Sequence, residues 1–282
     1  MAERIESLRD IVSHYDVILC DVWGVLHNGV SPFPEAPLAL KAIRDAGATV
    51  VLITNSPRPG KDVVSQLDAI GVARDAYDRI VSSGDVTRKL ISEGPRNIAF
   101  IGADRDTPLL EGLGVNIVTD EEGEIVVCSG FKDDETETPE MYRDRLAALA
   151  ARGLTMICAN PDLVVERGHR LIPCAGALAA LYAELGGATS IAGKPYAPIY
   201  AASLAAAEDA RGPIDRARVL AIGDGMPTDV KGAISQGLDL LYISAGIHAR
   251  DYMTGSVTDV DRMNAFLAAH QAEPRWWMPR LA

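Results

Sequence analysis

Apolar runs that end abruptly in polar residues are the feature of this sequence that most constrains its fold. The first run, Val17 to Cys20, is followed by Asp21 and, three positions later, by Gly24. A strand buried along its whole length reads as a continuous apolar run, which is typical of parallel sheets. Ligands bind outside the carboxyl ends of such strands, so Asp21 is a candidate catalytic group. The alternative is that Asp21 is a turn residue beside a flexible glycine.

The pattern of apolar run, polar end and helix recurs along the chain. Residues 48–53 form a second apolar run that ends at Thr54, Asn55 and Ser56, and a helix predicted over 36–46 separates it from the first run. Two buried strands joined by one helix make a βαβ unit and hence a parallel sheet. Further strands are predicted at 190–192 before Lys194, at 218–222 before Asp224 and Asp229, and at 239–244.

The segment between the second and third of these strands has its own alternation of strands and helices. We place strands at 97–102, 124–130 and 154–159 and a helix at 138–152. Residues near 15 to 80 and 188 to 250 are therefore expected to form one mostly parallel, doubly wound α/β sheet, with a second α/β unit inserted between them.

The acidic composition limits the partners of the protein. The chain has 27 Lys and Arg residues against 39 Asp and Glu residues, a formal charge of −12. Such a surface repels polyanions, so we expect neither nucleic acid nor an anionic membrane as a partner. The first ten residues contain no apolar stretch of signal-peptide length, and nowhere do about eighteen apolar residues run together. A cytoplasmic protein is the resulting expectation, and a homo-oligomer remains possible.

The polar strand ends meet at one edge of the predicted sheet and together predict phosphoryl chemistry. Asp21, Asp224 and Asp229 supply the carboxylates that Mg²⁺ prefers alongside water and phosphate oxygens. Lys194 would neutralise phosphate charge, and the Thr54 hydroxyl would donate a hydrogen bond to it. Asp229 has an alternative role as a helix cap. The combination predicts a site for a divalent cation and a phosphoryl group.

Four short motifs carry these residues: Asp21-x-x-Gly24, Ile53-Thr54-Asn55-Ser56, Gly193-Lys194-Pro195 and Gly223-Asp224 with Thr228-Asp229. They resemble the motifs of the haloacid dehalogenase superfamily, specifically its class IIA, NagD-type branch. Asn160-Pro161-Asp162 is similar to the stretch that leads from cap to core in that branch. The resemblance covers nearly the whole chain. It implies a Rossmann-like catalytic core of residues 1–80 and 188–282, with an α/β cap domain inserted at 81–187.

The resemblance also implies an activity, that of a Mg²⁺-dependent phosphatase of small phosphorylated metabolites. Asp21 would attack phosphorus and form an aspartyl-phosphate, with Lys194 as the second catalytic residue. The implied metal ligands are Asp21, the backbone carbonyl of Trp23, Asp224 and Asp229. The implied substrate contacts are Thr54, Asn55, Ser56, Trp23, Gly24, Asn160 and Asp162.

Trp23 is the main departure from the family pattern. Phosphatases of the superfamily usually carry an aspartate at this position, which protonates the leaving alcohol and later activates water. An indole cannot exchange a proton in this way, so a loss on the order of 10²- to 10⁴-fold is expected for poor leaving groups.

Three explanations follow from this departure. The protein uses another acid, such as a cap residue or His27, which is otherwise a packing residue; it acts on a substrate that needs no protonation, such as an acyl phosphate; or it binds a phosphorylated ligand without efficient turnover. Carbon–halogen cleavage ranks below these because it needs no metal, whereas Asp224 and Asp229 preserve a metal-binding motif.

Overall fold

A computed structural model describes residues 2–167 and 170–282, which form two compact units. The first unit extends to Thr54 and also contains Val64–Val81 and Tyr200–Ala282. The second unit contains Asn55–Val63 and Ser82–Ile199. Within the described ranges, no helix combines the length and the apolar character needed to cross a membrane.

The strands, numbered in chain order, are β1 (Glu3–Arg4), β2 (Val17–Asp21), β3 (Thr49–Thr54), β4 (Arg79–Ser82), β5 (Asn97–Ile101), β6 (Asn116–Val118), β7 (Ile125–Cys128), β8 (Thr155–Cys158), β9 (Val164–Arg167), β10 (Arg170–Pro173), β11 (Ala188–Ile191), β12 (Val219–Gly223), β13 (Asp239–Ile243), β14 (Met253–Thr254), β15 (Val257–Thr258) and β16 (Trp276–Met278).

The α-helices are α1 (Glu35–Asp45), α2 (Gly60–Ala69), α3 (Ser83–Ser92), α4 (Arg143–Ala151), α5 (Ala175–Glu184), α6 (Ala197–Arg211), α7 (Lys231–Gln236), α8 (Ala249–Tyr252) and α9 (Val260–Ala269). A π-helical turn, Met226–Val230, precedes α7.

The first unit is built on a seven-stranded sheet with the order β1-β16-β13-β12-β2-β3-β4. Strand β2 pairs in parallel with β3 on one side and β12 on the other. All three are buried at every residue, as expected of a parallel sheet covered on both faces. Helix α1 shows how the covering works, because its buried residues Ala36, Leu40 and Ile43 follow the helical period and lie on one side.

The second unit contains a parallel five-stranded sheet with the order β11-β8-β7-β5-β6. Successive residues of a strand face opposite layers. Val126 and Cys128 pack in a cluster with residues of α4 and α5, whereas Val127 packs in another with Ile91 of α3 and Leu109. The parallel sheets with helices packed against them confirm the predicted α/β, Rossmann-like class.

One predicted strand lies in a different sheet from the one expected. The strand expected at 190–192 in the first sheet is β11, which pairs with β8 of the five-stranded sheet, Ile191 opposite Cys158. An apolar run predicts a strand but not its partner. Here β8 and β11 are joined by a long crossover that contains the antiparallel strands β9 and β10 and helix α5, and parallel pairing of two strands needs such a crossover.

The carboxyl-terminal segment adds a strand that the sequence did not predict. Strand β16 lies between β1 and β13 and pairs in parallel with both. Trp276, Trp277 and Met278 are buried. This carboxyl-terminal strand is therefore internal to the first sheet, and β1 forms the edge.

The register of the central strands determines which residues share the carboxyl edge of the sheet. Cys20 of β2 lies opposite Ile222 of β12, and Asp21 lies opposite Ile53 of β3. The residues that follow, Thr54 and Asp224, thus come at the ends of neighbouring strands. This is the edge where open α/β sheets bind ligands.

Candidate active site

Three buried carboxylates lie at the carboxyl edge of the seven-stranded sheet. Asp21 is the last residue of β2, Asp224 follows β12 directly, and Asp229 lies in the π-helical turn. One carboxylate oxygen from each residue lies within 4.8 Å of the others, and none of the three residues is more than 6% exposed. The parallel pairing of β2 with β12 brings the first two together, and the short turn after β12 returns the third.

Glycines on two loops make room for the Asp224 carboxylate. A Cβ at Gly24 would lie 2.3 Å from Asp224 Oδ2, and a Cβ at Gly246 would lie 2.0 Å from the same oxygen. Gly24 also has a φ of +87°, which residues with a side chain rarely adopt. The backbone N–H of Ile247 donates a 2.7 Å hydrogen bond to this oxygen. The two loops therefore fix the position of Asp224.

The loop after β12 holds Asp229 in place. The backbone N–H of Gly225 donates a 3.0 Å hydrogen bond to Asp229 Oδ2, and Thr228 Oγ1 lies 3.4 Å from the same oxygen. A Cβ at Gly223 would lie 2.2 Å from Asp229 Cγ. Helix α7 has no side-chain cap. Asp229 is thus a buried residue of the turn. It does not cap α7, which was the alternative role considered for it from the sequence.

Three carboxylates this close repel one another unless a cation lies among them, because charge–charge interactions strengthen away from water. Buried charges in proteins are paired with an opposite charge or coordinate a metal. Carboxylate oxygens are hard donors that suit a divalent cation of the Mg²⁺ or Ca²⁺ type. The burial and spacing of Asp21, Asp224 and Asp229 therefore fit a divalent metal ion.

The loop after β2 holds Trp23 and His27 against each other. Their rings meet edge to face, with centroids 5.1 Å apart, and the N–H of Gly24 donates a 2.8 Å hydrogen bond to the His27 carbonyl. The His27 side chain is buried, and its Nδ1 accepts a 2.8 Å hydrogen bond from the N–H of Gly29. Burial lowers the pKa of His27 to about 4, so the ring is neutral at neutral pH. His27 is therefore a packing residue of this loop and is not poised as an acid.

Asn55 and Lys194 lie together in the second unit. Asn55 Oδ1 accepts a 2.7 Å hydrogen bond from the N–H of Lys194, and Asn55 Nδ2 donates to Asp162 Oδ1 at 2.8 Å and to the Lys194 carbonyl at 3.3 Å. Lys194 is only 2% exposed and precedes a cis peptide bond to Pro195. The Asn55 amide therefore fixes the backbone on both sides of a buried lysine.

The turn Asn160-Pro161-Asp162 packs against the same lysine motif. Asn160 Oδ1 accepts a 3.0 Å hydrogen bond from the N–H of Asp162, which closes the turn. A Cβ at Gly193 would lie 2.5 Å from Asn55 Oδ1 and 2.6 Å from Pro161 Cδ. These contacts give Asn160 and Asp162 a positioning role. The substrate contacts predicted for them remain a prediction.

Thr54 and Ser56 flank Asn55. Thr54 ends β3 and is buried. The Ser56 carbonyl accepts a 3.0 Å hydrogen bond from the N–H of Gly84, and Ser56 Oγ accepts one of 3.3 Å from the N–H of Arg58. Ser56 thus ties this loop to the first turn of α3.

Comparisons with known proteins agree with the order of these elements. Residues 18–116 match a family model described as haloacid dehalogenase-like hydrolase, and residues 191–265 match one described as HAD-hydrolase-like. A solved structure of a hydrolase of the haloacid dehalogenase-like family from Brucella suis is 52% identical, with a TM-score of 0.89 over 99% of this chain and 100% of that one. The chain belongs to the haloacid dehalogenase-like hydrolase family.

Two curated relatives are similar to this haloacid dehalogenase-like hydrolase over most of their length. Acid sugar phosphatase from Staphylococcus aureus is 27% identical over 243 residues, 84% of this chain and 89% of the relative. Ribonucleotide monophosphatase NagD from Escherichia coli is 25% identical over 270 residues, 94% of this chain and 96% of the relative. The predicted NagD-type, class IIA membership is confirmed.

The structure of this hydrolase groups the predicted site residues within each unit. In the first unit it brings together Asp21, Asp224 and Asp229, with Gly24 against Asp224. In the second unit it brings together Asn55, Lys194, Asn160 and Asp162. The Trp23 side chain packs on its own loop, against His27 and Gly29.

The loop after β13 contributes residues to the site that the sequence did not predict. This loop supplies Gly246 and Ile247 to the surroundings of Asp224, and His248 Nε2 accepts a 3.1 Å hydrogen bond from the N–H of Met226. His248 has no neighbour in the sequence at a metal-ligand spacing, so nothing singled it out. The available signal was the position of the loop, because β13 also ends in small and polar residues at the carboxyl edge of the sheet.

Proposed function

We propose that this hydrolase is a Mg²⁺-dependent phosphatase of small phosphorylated metabolites. The observation that carries the proposal is the cluster of Asp21, Asp224 and Asp229, buried and within 4.8 Å of one another at the sheet edge. The relatives from S. aureus and E. coli are named as an acid sugar phosphatase and a ribonucleotide monophosphatase, which supports a small phosphorylated substrate.

Asp21 is the proposed nucleophile. An oxygen of its carboxylate forms a bond to phosphorus as the bond from phosphorus to the leaving group breaks, which gives an aspartyl-phosphate. Water then attacks phosphorus, the bond to Asp21 breaks, and inorganic phosphate is released with the carboxylate restored. We assign Asp21, Asp224, Asp229 and the Trp23 carbonyl to hold Mg²⁺. The bound ion would supply charge neutralisation for the phosphoryl oxygens.

The remaining assignments concern binding of the phosphoryl group and the substrate. Lys194 is the proposed cation for the phosphoryl oxygens, since a lysine serves as a point charge for phosphate. The further proposed substrate contacts are Thr54, Asn55, Ser56, Gly24, Trp23, Asn160 and Asp162. The cap, for which the sequence predicts the bounds 81–187, would shape substrate choice, and the core would carry the chemistry. The cytoplasmic location and a homo-oligomer stay predictions.

The proposal is tested by measuring phosphate release with Mg²⁺ from a panel of sugar, nucleotide, aryl and acyl phosphates. We expect release from part of the panel, and a loss on the order of 10³-fold or more in Asp21→Asn, because the nucleophile is removed. Asp261→Asn is the matched control, since it makes the same change at an exposed residue of α9. Equal activity in Asp21→Asn and the control would contradict the proposal.

A second candidate is a protein that binds a phosphorylated ligand without efficient turnover, which Trp23 favours because an indole cannot act as an acid. The same panel separates the two. Absence of phosphate release from every compound, together with Mg²⁺-dependent binding of one of them, would replace the phosphatase proposal with this one.

A further inference from the structure

The Trp23 indole is held in one place by the loop that follows the proposed nucleophile. A Cβ at Gly29 would lie 2.3 Å from Trp23 Cζ2, so only glycine at that position leaves room for the ring. Gly29 has a φ of +86°, which also favours glycine. His27 contacts the ring edge to face, and the backbones of Trp23 and His27 form a β-bridge. The loop is therefore built around an indole two residues after Asp21.

The described side chains of this loop offer no proton to a departing group. The indole N–H is a hydrogen-bond donor that does not ionise near neutral pH. Of residues 22–31, His27 alone carries an acid–base side chain; it is buried, and its Nδ1 accepts the hydrogen bond from the N–H of Gly29. In the same unit, His248 Nε2 accepts the hydrogen bond from Met226. A leaving alkoxide would thus depart without a proton from this loop.

We infer that Trp23 determines the substrate class: the enzyme acts on phosphates whose leaving group is stable as an anion, acyl phosphates above all, in preference to alkyl phosphates such as sugar phosphates. The inference rests on the proposed phosphatase function. In the first step the bond from Asp21 to phosphorus forms, the bond from phosphorus to the acyl oxygen breaks, and the electron pair leaves with the carboxylate. This step needs no proton. In the second step water adds to phosphorus, both of its protons leave with the phosphate released, and Asp21 leaves as the carboxylate.

The experiment measures kcat/KM with Mg²⁺ for substrates that differ in the pKa of the leaving group. The probes are acetyl phosphate, a series of ring-substituted phenyl phosphates and glycerol phosphate. We expect a steep fall as the leaving-group pKa rises, with glycerol phosphate about 10²- to 10⁴-fold below the activated members, which is the usual contribution of a general acid. In Trp23→Asp the dependence should flatten, because glycerol phosphate gains activity relative to acetyl phosphate.

Two further variants separate proton transfer from side-chain size. Trp23→Asn opens the same space as Trp23→Asp without supplying an acid, and Trp23→Phe keeps an aromatic ring, so both should retain the steep dependence of the wild type. A shallow dependence in the wild type would overturn the inference, as would an equal gain for glycerol phosphate in Trp23→Asn. Release of phosphate from none of these probes, and from none of the sugar and nucleotide phosphates, would overturn the proposed function itself. Hydrolysis of glycerol phosphate as fast as acetyl phosphate would overturn only the substrate class.

Discussion

At the scale of single residues, the site depends on glycines that leave space for the carboxylates as well as on the carboxylates themselves. Asp224 Oδ2 would lie 2.3 Å from a Cβ at Gly24 and 2.0 Å from a Cβ at Gly246, too close for either atom to be present without a shift. Gly24 is strained for any other residue by its φ of +87°, whereas Gly246 has no left-handed φ. Gly246 therefore tests the steric effect alone.

Gly246→Ala should weaken Mg²⁺ binding. Its Cβ would lie 2.0 Å from Asp224 Oδ2, so the carboxylate must move away from its place beside Asp21 and Asp229. Changes next to metal ligands typically cost about 10- to 100-fold in metal affinity, and we expect a Kd for Mg²⁺ raised by that factor. Isothermal titration calorimetry of the wild type and the variant measures the ratio directly.

Gly94→Ala is the matched control for this measurement. The Cβ there would meet nothing closer than the Leu90 carbonyl oxygen at 3.5 Å, an ordinary contact. It should leave the Kd unchanged. An unchanged Kd in Gly246→Ala as well would mean that the Asp224 carboxylate does not take part in metal binding.

The site residues that could be predicted are those marked by a local sequence pattern. Asp21, Thr54 and Asp224 each follow a buried apolar run, so strand direction alone brings them to one edge. The partners of these residues could not be predicted this way. Gly246 lies 22 positions after Asp224 in the sequence, and its contact with the carboxylate depends on how two separate loops cross.

At the scale of secondary-structure elements, long buried strands were predictable and short ones were not. Strands β2 and β3 have five and six residues, all buried, and read as continuous apolar runs. Strands β1 and β16 have two and three residues, too few to show a pattern. The error over β11 has a different cause. The apolar run predicts the strand, but its pairing with β8 depends on the crossover that joins the two strands.

Strand β16 should contribute strongly to stability although it is short and near the chain end. Trp277 is 3% exposed and lies opposite Tyr242 in β13 and Arg4 in β1, so its ring packs inside the sheet assembly. Replacing a buried Trp by Ala typically costs about 3 to 5 kcal/mol, from lost burial and the cavity left behind. We expect Trp277→Ala to lower the free energy of unfolding in urea by about that amount.

Leu38→Ala provides the comparison within the same unit. Leu38 is 67% exposed on α1, so its truncation should change the free energy of unfolding by no more than about 0.5 kcal/mol. Equal free energies of unfolding for the two variants would show that packing of Trp277 in β16 contributes little to stability.

At the scale of the whole molecule, the negative charges lie in two environments, the solvated surface and the buried carboxylate cluster. The formal charge of −12 is spread mostly over the surface, where water screens it, whereas Asp21, Asp224 and Asp229 are buried together. A divalent cation can reduce repulsion in both settings. Only at the buried cluster would the cation bind at a defined site, because only there do the carboxylates lie close together and away from water.

Mg²⁺ should therefore stabilise the folded protein through the buried cluster and not through its surface. A ligand that binds only the folded state at 100 times its Kd stabilises that state by about 2.7 kcal/mol. We expect Mg²⁺ at such a concentration to raise the Tm of the wild type by several degrees in scanning calorimetry, and to leave the Tm of Asp224→Asn nearly unchanged. Asp261→Asn removes the same charge from an exposed position on α9 and should respond as the wild type does. An equal rise in all three proteins would assign the effect to surface charge and remove the support that the carboxylate cluster gives to a metal-dependent enzyme.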